Sequence, residues 1–486
     1  MQQTTRNAIG PHRARNVSQP GFGPLARTRP QHGNLGLDTW ALNRPVGIIG
    51  TDRNRMPVVS RTRSRSAGSA SWHYTPASAI LYNGTIFGSC FQAAGGNLPE
   101  METRRNGASR MSPFKVPIQN PKPDVQRFLD AMTGKVVPDK PPMVEYLVDN
   151  ALMKPILQDM IGRKWIDTSE KTEYMGGQMD LSKENLAVMD AWLDNQIAFW
   201  YHMGYDFIRC EVSLPLPAVA LITQDTAKGN KDHSRVWQGL HDGPIQTWDD
   251  FEKYPWPECT DDNFYIHRYI CEHLPEGLGF ITCHAGGVYE HVSRLIGYEN
   301  LCLMLYDNPE LVKAVADRLG ELIRNYNEYL LQLDGLVAIF QGEDFGFNTQ
   351  TLIPPKAIRE IFLPWHKTYA QMTHERGRLY FLHSCGEVSA IMEDLIEDVR
   401  IDGKHSFQDN VLPVAEAKRL YGDRVALLGG VDVGKLASYP PDELRNYVRG
   451  IVDACAPGGR FAVGAGNSIT SYIPVENYLT MLDECL

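Results

Sequence analysis

No stretch of this 486-residue chain approaches 18 consecutive apolar residues, so a membrane-spanning helix is not expected. Cysteine is sparse: nine residues, an odd number, at positions 90, 210, 259, 271, 283, 302, 385, 455 and 485, without the spacing of a secreted disulfide framework. A reducing, cytoplasmic compartment is the expectation, with any special cysteine acting as a ligand or nucleophile. Lysine is missing altogether from residues 1–110 and first appears as Lys115. That segment sets 14 Arg against four acids, Asp38, Asp52, Glu100 and Glu102, a net +10. The other 376 residues carry 34 basic and 54 acidic side chains, a net −20. The overall charge of −10 therefore conceals two unlike parts.

Residues 1–110 also lack any sustained hydrophobic period. Runs such as Arg61-Thr-Arg-Ser-Arg-Ser-Ala-Gly-Ser-Ala70 cannot bury enough apolar surface to offset the entropy of ordering, so disorder is expected. Three origins fit: a basic arm for nucleic acid, an Arg- and Ser-rich transit peptide, or upstream sequence ahead of a true start at Met111. The last is favoured, which leaves residues 120–486 as the functional body, with no nucleic-acid partner.

That body is rich in what the first segment lacks. Pro141–Val148 (PPMVEYLV) is a short apolar run after a Pro-rich turn, hence an expected strand. Seven similar runs follow at 205–212, 279–284, 335–342, 378–383, 399–405, 424–429 and 460–464. Helical segments separate them. The clearest opens at Asn308-Pro309-Glu310, and its apolar residues Leu311, Val312, Val315, Leu319, Leu322, Ile323 and Tyr326 recur at helical spacing. Another is expected over 388–397. Eight strands alternating with helices predict a (β/α)8 TIM barrel. An open doubly wound sheet is the alternative, weakened because no G-x-G-x-x-G follows the first strand. Residues 237–258, rich in Trp and Pro, read as an insertion of loop and short helices covering one rim.

A barrel places its chemistry at the C-terminal ends of its strands. There stand Glu145, Arg209 and Glu211, His284, Glu343 and Asp344, His383 and Cys385, His405, Asp432, and Asn467. The sharpest pattern is His383-Ser-Cys385-Gly386 after an apolar run. Residues i and i+2 of a strand share a face, so imidazole and thiol converge, as a zinc site with an open position requires. A buried thiol beside a hydrogen-bonded imidazole is the alternative. Glu343 and Asp344 point to opposite faces, so one of them enters the mouth as a ligand, a base or a support for a ligand. Gly464-Ala-Gly-Asn-Ser468 is either a phosphate-binding loop or a tight turn.

These residues, with Asp402-Gly-Lys-His405, Leu428-Gly-Gly-Val-Asp432, Gly466-Asn-Ser-Ile469 and Pro474-Val-Glu-Asn-Tyr478, resemble the uroporphyrinogen decarboxylase superfamily over about 120–486. The resemblance implies a (β/α)8 barrel and one of two activities: cofactor-free decarboxylation of a tetrapyrrole, or zinc-dependent methyl exchange with a corrinoid. The decarboxylase branch carries an Arg-bearing segment after its first strand. Here residues 142–154 have no Arg and carry Glu145 and Asp149, which would repel a polyanion. The H-x-C pair belongs to the methyltransferase branch, whose further cysteine after the eighth strand falls on Asn467, a poor zinc ligand. Either a carboxylate such as Glu343 then completes the site, or zinc is held weakly or not at all.

The expectation is therefore a methyltransferase acting on a small molecule. His383 and Cys385 would hold zinc, and a partner protein would present the corrinoid. Glu343, Asp344, His284 and His405 would supply catalytic acids or bases. Glu145, Arg209, Glu211, Asp432 and Asn467 would contact substrate. Two rivals stand beside it: a metal-free lyase using Arg209 to hold a carboxylate and Asp344 to protonate carbon, and a non-catalytic tetrapyrrole or corrinoid carrier. The oligomeric state, a homodimer included, stays open.

Overall fold

The structure, a computed structural model, describes residues 113–167, 182–218, 220–224, 234–238 and 241–486. The Arg-rich segment 1–110, expected to be disordered, lies outside the described residues. In chain order the strands are β1 (Phe207–Arg209), β2 (Ala220–Gln224), β3 (Ser234–Gln238), β4 (Gly279–Thr282), β5 (Leu336–Gly342), β6 (Leu379–His383), β7 (Gly403–His405), β8 (Ala426–Leu428) and β9 (Phe461–Ala462). Seven form one parallel sheet in the order β1-β4-β5-β6-β7-β8-β9. From β4 to β9 each strand pairs with the next in sequence across intervening helices, the winding of a TIM-type α/β fold.

The first expected strand, Pro141–Val148, joins this sheet through single bridges rather than a ladder. Met143 pairs with Val463 and Val148 with Ile469, both parallel, so the segment lies along β9. Val144, Tyr146, Phe207, Ile281, Ala338, Phe340, Phe381, Ala426, Leu428 and Ala462 pack into one apolar cluster with Phe128, Ala131 and Met132 of the Val125–Met132 helix. Six of the seven strands and the 143–148 segment thus point residues at a common interior, and Gly403 of β7 faces Phe381 and Leu428 there, so the sheet is curled. Their neighbours Ile208, Phe280, Ile339, Tyr380, Leu382 and Leu427 belong to the larger core between sheet and helices. This period of two decides below which polar side chains reach the inside.

The Pro309–Leu330 helix buries the seven apolar residues its spacing picks out. Asn308 stands at its N-cap position, although its side chain makes no capping bond. The helix expected over 388–397 appears as Ser389–Glu393, continued by a wider-wound turn over Asp394–Val399. The 237–258 insertion holds the Trp248–Lys253 helix, closed at its start by a Thr247–Asp250 capping box. An antiparallel β2–β3 pair, with Ala220 opposite Gln238, precedes it and was not anticipated. No helix among the described residues is long and apolar enough to cross a membrane.

Candidate metal centre

Strand register assembles the site. The β5–β6 ladder sets Gly342 beside His383, and the β6–β7 ladder sets His383 beside His405. Just past the first ladder, Asp344 meets Cys385, whose N–H donates to Asp344 Oδ1 at 2.9 Å. His383 Nε2 then lies 3.3 Å from Cys385 Sγ and 3.6 Å from Asp344 Oδ1. Ligand atoms of these three residues all fall within 4.8 Å of one another. A tetrahedral zinc with bonds of 2.0–2.3 Å would hold its ligands roughly 3.3–3.8 Å apart. Imidazole, thiol and carboxylate fit that ion class and leave a fourth position open.

The proton positions follow from the partners. The Ala465 carbonyl can only accept, so His405 Nε2, 3.0 Å away, carries a hydrogen and donates it. Burial pushes the His405 pKa down to about 3, so its Nδ1 is a bare lone pair. That lone pair sits 2.7 Å from His383 Nδ1, which must therefore be the donor. Burial and the neighbouring His405 likewise keep His383 neutral, and its Nε2 lone pair is directed at Cys385 and Asp344. A carbonyl and a second imidazole thus fix the tautomer that a metal needs. Tyr146 stacks on His383 at 4.1 Å between ring centroids and holds its plane.

Burial raises the Cys385 thiol well above its usual range, with Asp344 adding to the effect, and lifts Asp344 to about 6. Both groups therefore hold protons more firmly than in water, and a cation among them would oppose that. Asn467 lies where the resemblance puts it: Nδ2 donates to Cys385 Sγ at 3.1 Å, while Oδ1 accepts from Ser468 N–H at 2.7 Å. It supports the sulfur rather than replacing it.

The two loops carrying Asp344 and Cys385 are locked together. A Cβ on Gly346 would come within 2.5 Å of the Cys385 carbonyl oxygen, and one on Gly386 within 2.4 Å of the Gly346 carbonyl carbon. Gly386 also has φ +72°, which favours glycine. Glu387 N–H donates to Phe347 O at 2.6 Å and Phe345 N–H to Ser384 Oγ at 3.1 Å.

The other expected residues separate by face. Glu343 points outward and is fully buried. It accepts from the N–H groups of Tyr289 and Glu290 at 2.9 Å, at the start of the Val288–Ile296 helix, and lies 3.0 Å from His366 Nε2. Asp344, not Glu343, is the carboxylate beside His383 and Cys385. His284 also faces outward, with Leu214 N–H on Nε2 at 3.0 Å and the Gly286 carbonyl 3.3 Å from Nδ1. Neither His284 nor His405 keeps a free ring nitrogen for the proton transfer expected of them, because neighbours occupy both.

Glu145 is the outward neighbour of Tyr146. Its carboxyl, raised well above its usual range by burial, accepts from Ala465 N–H at 3.1 Å away from the site. Asp432 caps the Val433–Ser438 helix, accepting from Gly434 and Lys435 N–H groups, instead of facing substrate. Arg209 and Glu211 do point inward but pair with each other, and the guanidinium is fully buried against Tyr146 and Phe340. The Gly464–Ser468 segment is a turn: the N–H groups of Ala465, Gly466 and Ser468 are satisfied by Glu145, Val431 and Asn467.

Two residues escaped sequence reasoning. Tyr146 was hidden behind its charged neighbour Glu145, although an inward Val144 implies an inward Tyr146. Lys404 is the outward residue of β7, and burial pushes its amine down to about 8.

Comparison with known proteins agrees with this architecture. No curated protein matches the chain. Among solved structures, a methyltransferase from Methanosarcina mazei superposes with a TM-score of 0.53 at 16% identity, covering 75% of this chain and 98% of its own. A zinc-bound amidohydrolase from Burkhoderia ambifaria reaches a TM-score of only 0.31 at 11% identity, covering 74% of this chain and 83% of its own. The uroporphyrinogen decarboxylase (URO-D) profile matches residues 240–485, more than half of the sequence. The chain belongs to the uroporphyrinogen decarboxylase (URO-D) family.

Proposed function

We propose that this protein is a zinc-dependent methyltransferase, moving a methyl group between a small thiol or methyl donor and a corrinoid carried by a partner protein. The observation that carries this reading is the convergence of His383 Nε2, Cys385 Sγ and the Asp344 carboxylate, with the imidazole lone pair set by His405 and the Ala465 carbonyl. Bound there, zinc supplies Lewis acidity that makes a substrate thiol nucleophilic at neutral pH. The chain's residues do the rest. His405 holds His383 in the metal-binding tautomer, Asn467 donates to the Cys385 sulfur, and Tyr146 covers one face of the imidazole. In the transfer, a substrate sulfur lone pair forms the S–C bond. A corrinoid on the partner would supply the methyl group and keep the electron pair of the bond it gives up, and the thiol proton would be released.

The named M. mazei methyltransferase supports this reading through its fold. The pairing of Arg209 Nη2 with Glu211 supports it over a lyase, because part of the charge that would grip a carboxylate is already balanced, although Nε and Nη1 have no partner. We read the 143–148 segment as the first strand of a closed (β/α)8 barrel spanning 120–486, with 1–110 a separate extension. The eight described cysteines are free thiols, consistent with a cytoplasmic protein.

The test is metal analysis joined to an activity assay. Expected are one zinc per chain and a change in corrin absorbance when methylcobalamin and a panel of thiols are added. Stoichiometric purification without zinc, with carbon dioxide released from a carboxylated substrate, would replace methyl transfer with the lyase.

A further inference from the structure

One buried cation bears on the metal centre from behind. β7 sends Gly403 and His405 inward, so Lys404 between them faces out toward the helices and is only 4% exposed. Its Nζ donates to the Ser384 carbonyl at 3.1 Å and to the Ser406 carbonyl, and lies 4.6 Å from the centre of the Phe407 ring. Burying an ammonium among carbonyls and a ring is costly, so its place calls for a reason.

The Ser384 carbonyl belongs to the peptide group that joins Ser384 to Cys385. The N–H of that same peptide donates to Asp344 Oδ1 at 2.9 Å. One peptide unit is therefore gripped at both ends, by a cation on its oxygen and a carboxylate on its hydrogen, and each contact polarises the other. The remaining polar atoms of Ser384 are held as well: its N–H donates to His405 O at 2.6 Å, and its Oγ accepts from Phe345 N–H at 3.1 Å. Ser384 separates His383 from Cys385, so the orientation of this peptide sets the direction in which Cys385 leaves the strand.

Charge points the same way. Of the acidic groups whose field reaches Lys404, Cys385 comes first, then Asp344 and Glu387. Glu387 stands half-buried on the loop and accepts from Ser389 N–H at 2.6 Å. A Cys385 thiolate and the Asp344 carboxylate would together cancel a divalent ion, and a substrate thiolate as fourth ligand would leave one negative charge in excess. The charge of Arg209 is met by Glu211, which leaves Lys404, among the described residues, as the buried positive charge that balances it.

We propose that Lys404 is a positioning residue of the metal centre: through the Ser384–Cys385 peptide it aims the Cys385 sulfur and the Asp344 carboxylate, and its charge favours an anionic sulfur ligand in the open position. This role presupposes the zinc methyltransferase reading above.

The test measures binding, apart from turnover, on the full chain: zinc affinity by chelator competition, and the affinity of cobalt(II)-loaded protein for 2-mercaptoethanol from its absorption spectrum. Lys404→Met removes both the grip and the charge and is expected to hold zinc about ten- to a hundredfold more weakly. Lys404→Gln keeps a donor for the Ser384 carbonyl and loses the charge. It is expected to recover most of the zinc affinity while binding 2-mercaptoethanol about tenfold more weakly than the native protein does. A merely structural lysine would not separate the two affinities, and Lys404→Gln carries the test alone if Lys404→Met fails to fold. Native zinc affinity in folded Lys404→Met, or native 2-mercaptoethanol affinity in Lys404→Gln, would overturn the role of Lys404 and leave the methyltransferase reading standing. A native chain that takes up neither zinc nor cobalt would overturn both.

Discussion

The inner and outer faces of the curled sheet spend their polar residues differently. Asp344 and Glu343 are adjacent in sequence and both buried, yet one lies within reach of His383 and Cys385 while the other tethers the Val288–Ile296 helix. The histidines divide in the same way. His383 and His405 meet inside, and His284 is spent outside on the Leu214 and Gly286 backbone. Inside, His405 gives both ring nitrogens to holding its neighbour, and His383 keeps its Nε2 lone pair for Cys385 and Asp344. Outside, Glu343 and His284 have both of their carboxylate oxygens or ring nitrogens engaged in scaffold. Burial alone does not mark function in this fold; the face does.

Crossed substitutions test that division. The largest effect is expected from Cys385→Ser: metal analysis should show zinc affinity down by more than about a hundredfold, with methyl transfer lost and the melting temperature nearly unchanged. Glu343→Ala should do the reverse. It leaves two helix N–H groups and His366 without their acceptor and should cost about 3 kcal/mol in urea unfolding, with zinc content retained. Loss of zinc in a folded Glu343→Ala protein would break the comparison. His405→Phe removes the acceptor that sets the His383 tautomer. Chelator competition should show zinc held about ten- to a hundredfold more weakly, and His405→Gln, which can both donate and accept, should recover part of it.

The smallest change is expected at Glu145. Its folded-state pKa is raised by burial, so its stabilising contribution is present below about pH 4.5 and lost as the pH rises through the folded value. Glu145→Gln should therefore melt slightly higher than the native protein at pH 8, with the gap closing toward pH 5. A gap that widens on acidification would show the native carboxyl to be stabilised in its charged form.

Much of this was legible in the sequence. Seven of the eight apolar runs became strands of one sheet, and the Pro309–Leu330 helix buries the residues its spacing chose. The His383–Cys385 pair was legible because i and i+2 of one strand share a face. The third member was not, because Asp344 reaches Cys385 through the β5–β6 register, which spacing along a single strand does not encode. Alternation separated Glu343 from Asp344 but could not say which faced in until Phe340 and Gly342 anchored the pattern. Lists of strand ends overcounted for the same reason: Glu145, His284 and Asp432 sit at the correct height on the wrong side or in a cap.

The back-to-back passage of Gly346 and Gly386 has a consequence for how such a protein can change. Each loop occupies the space that the other's side chain would need, so neither can be exchanged alone. A chimera that took its 343–347 loop from a distant homologue and kept its own 384–387 loop would collide at the seam. The two segments, some forty positions apart in the chain, should be inherited as a single block.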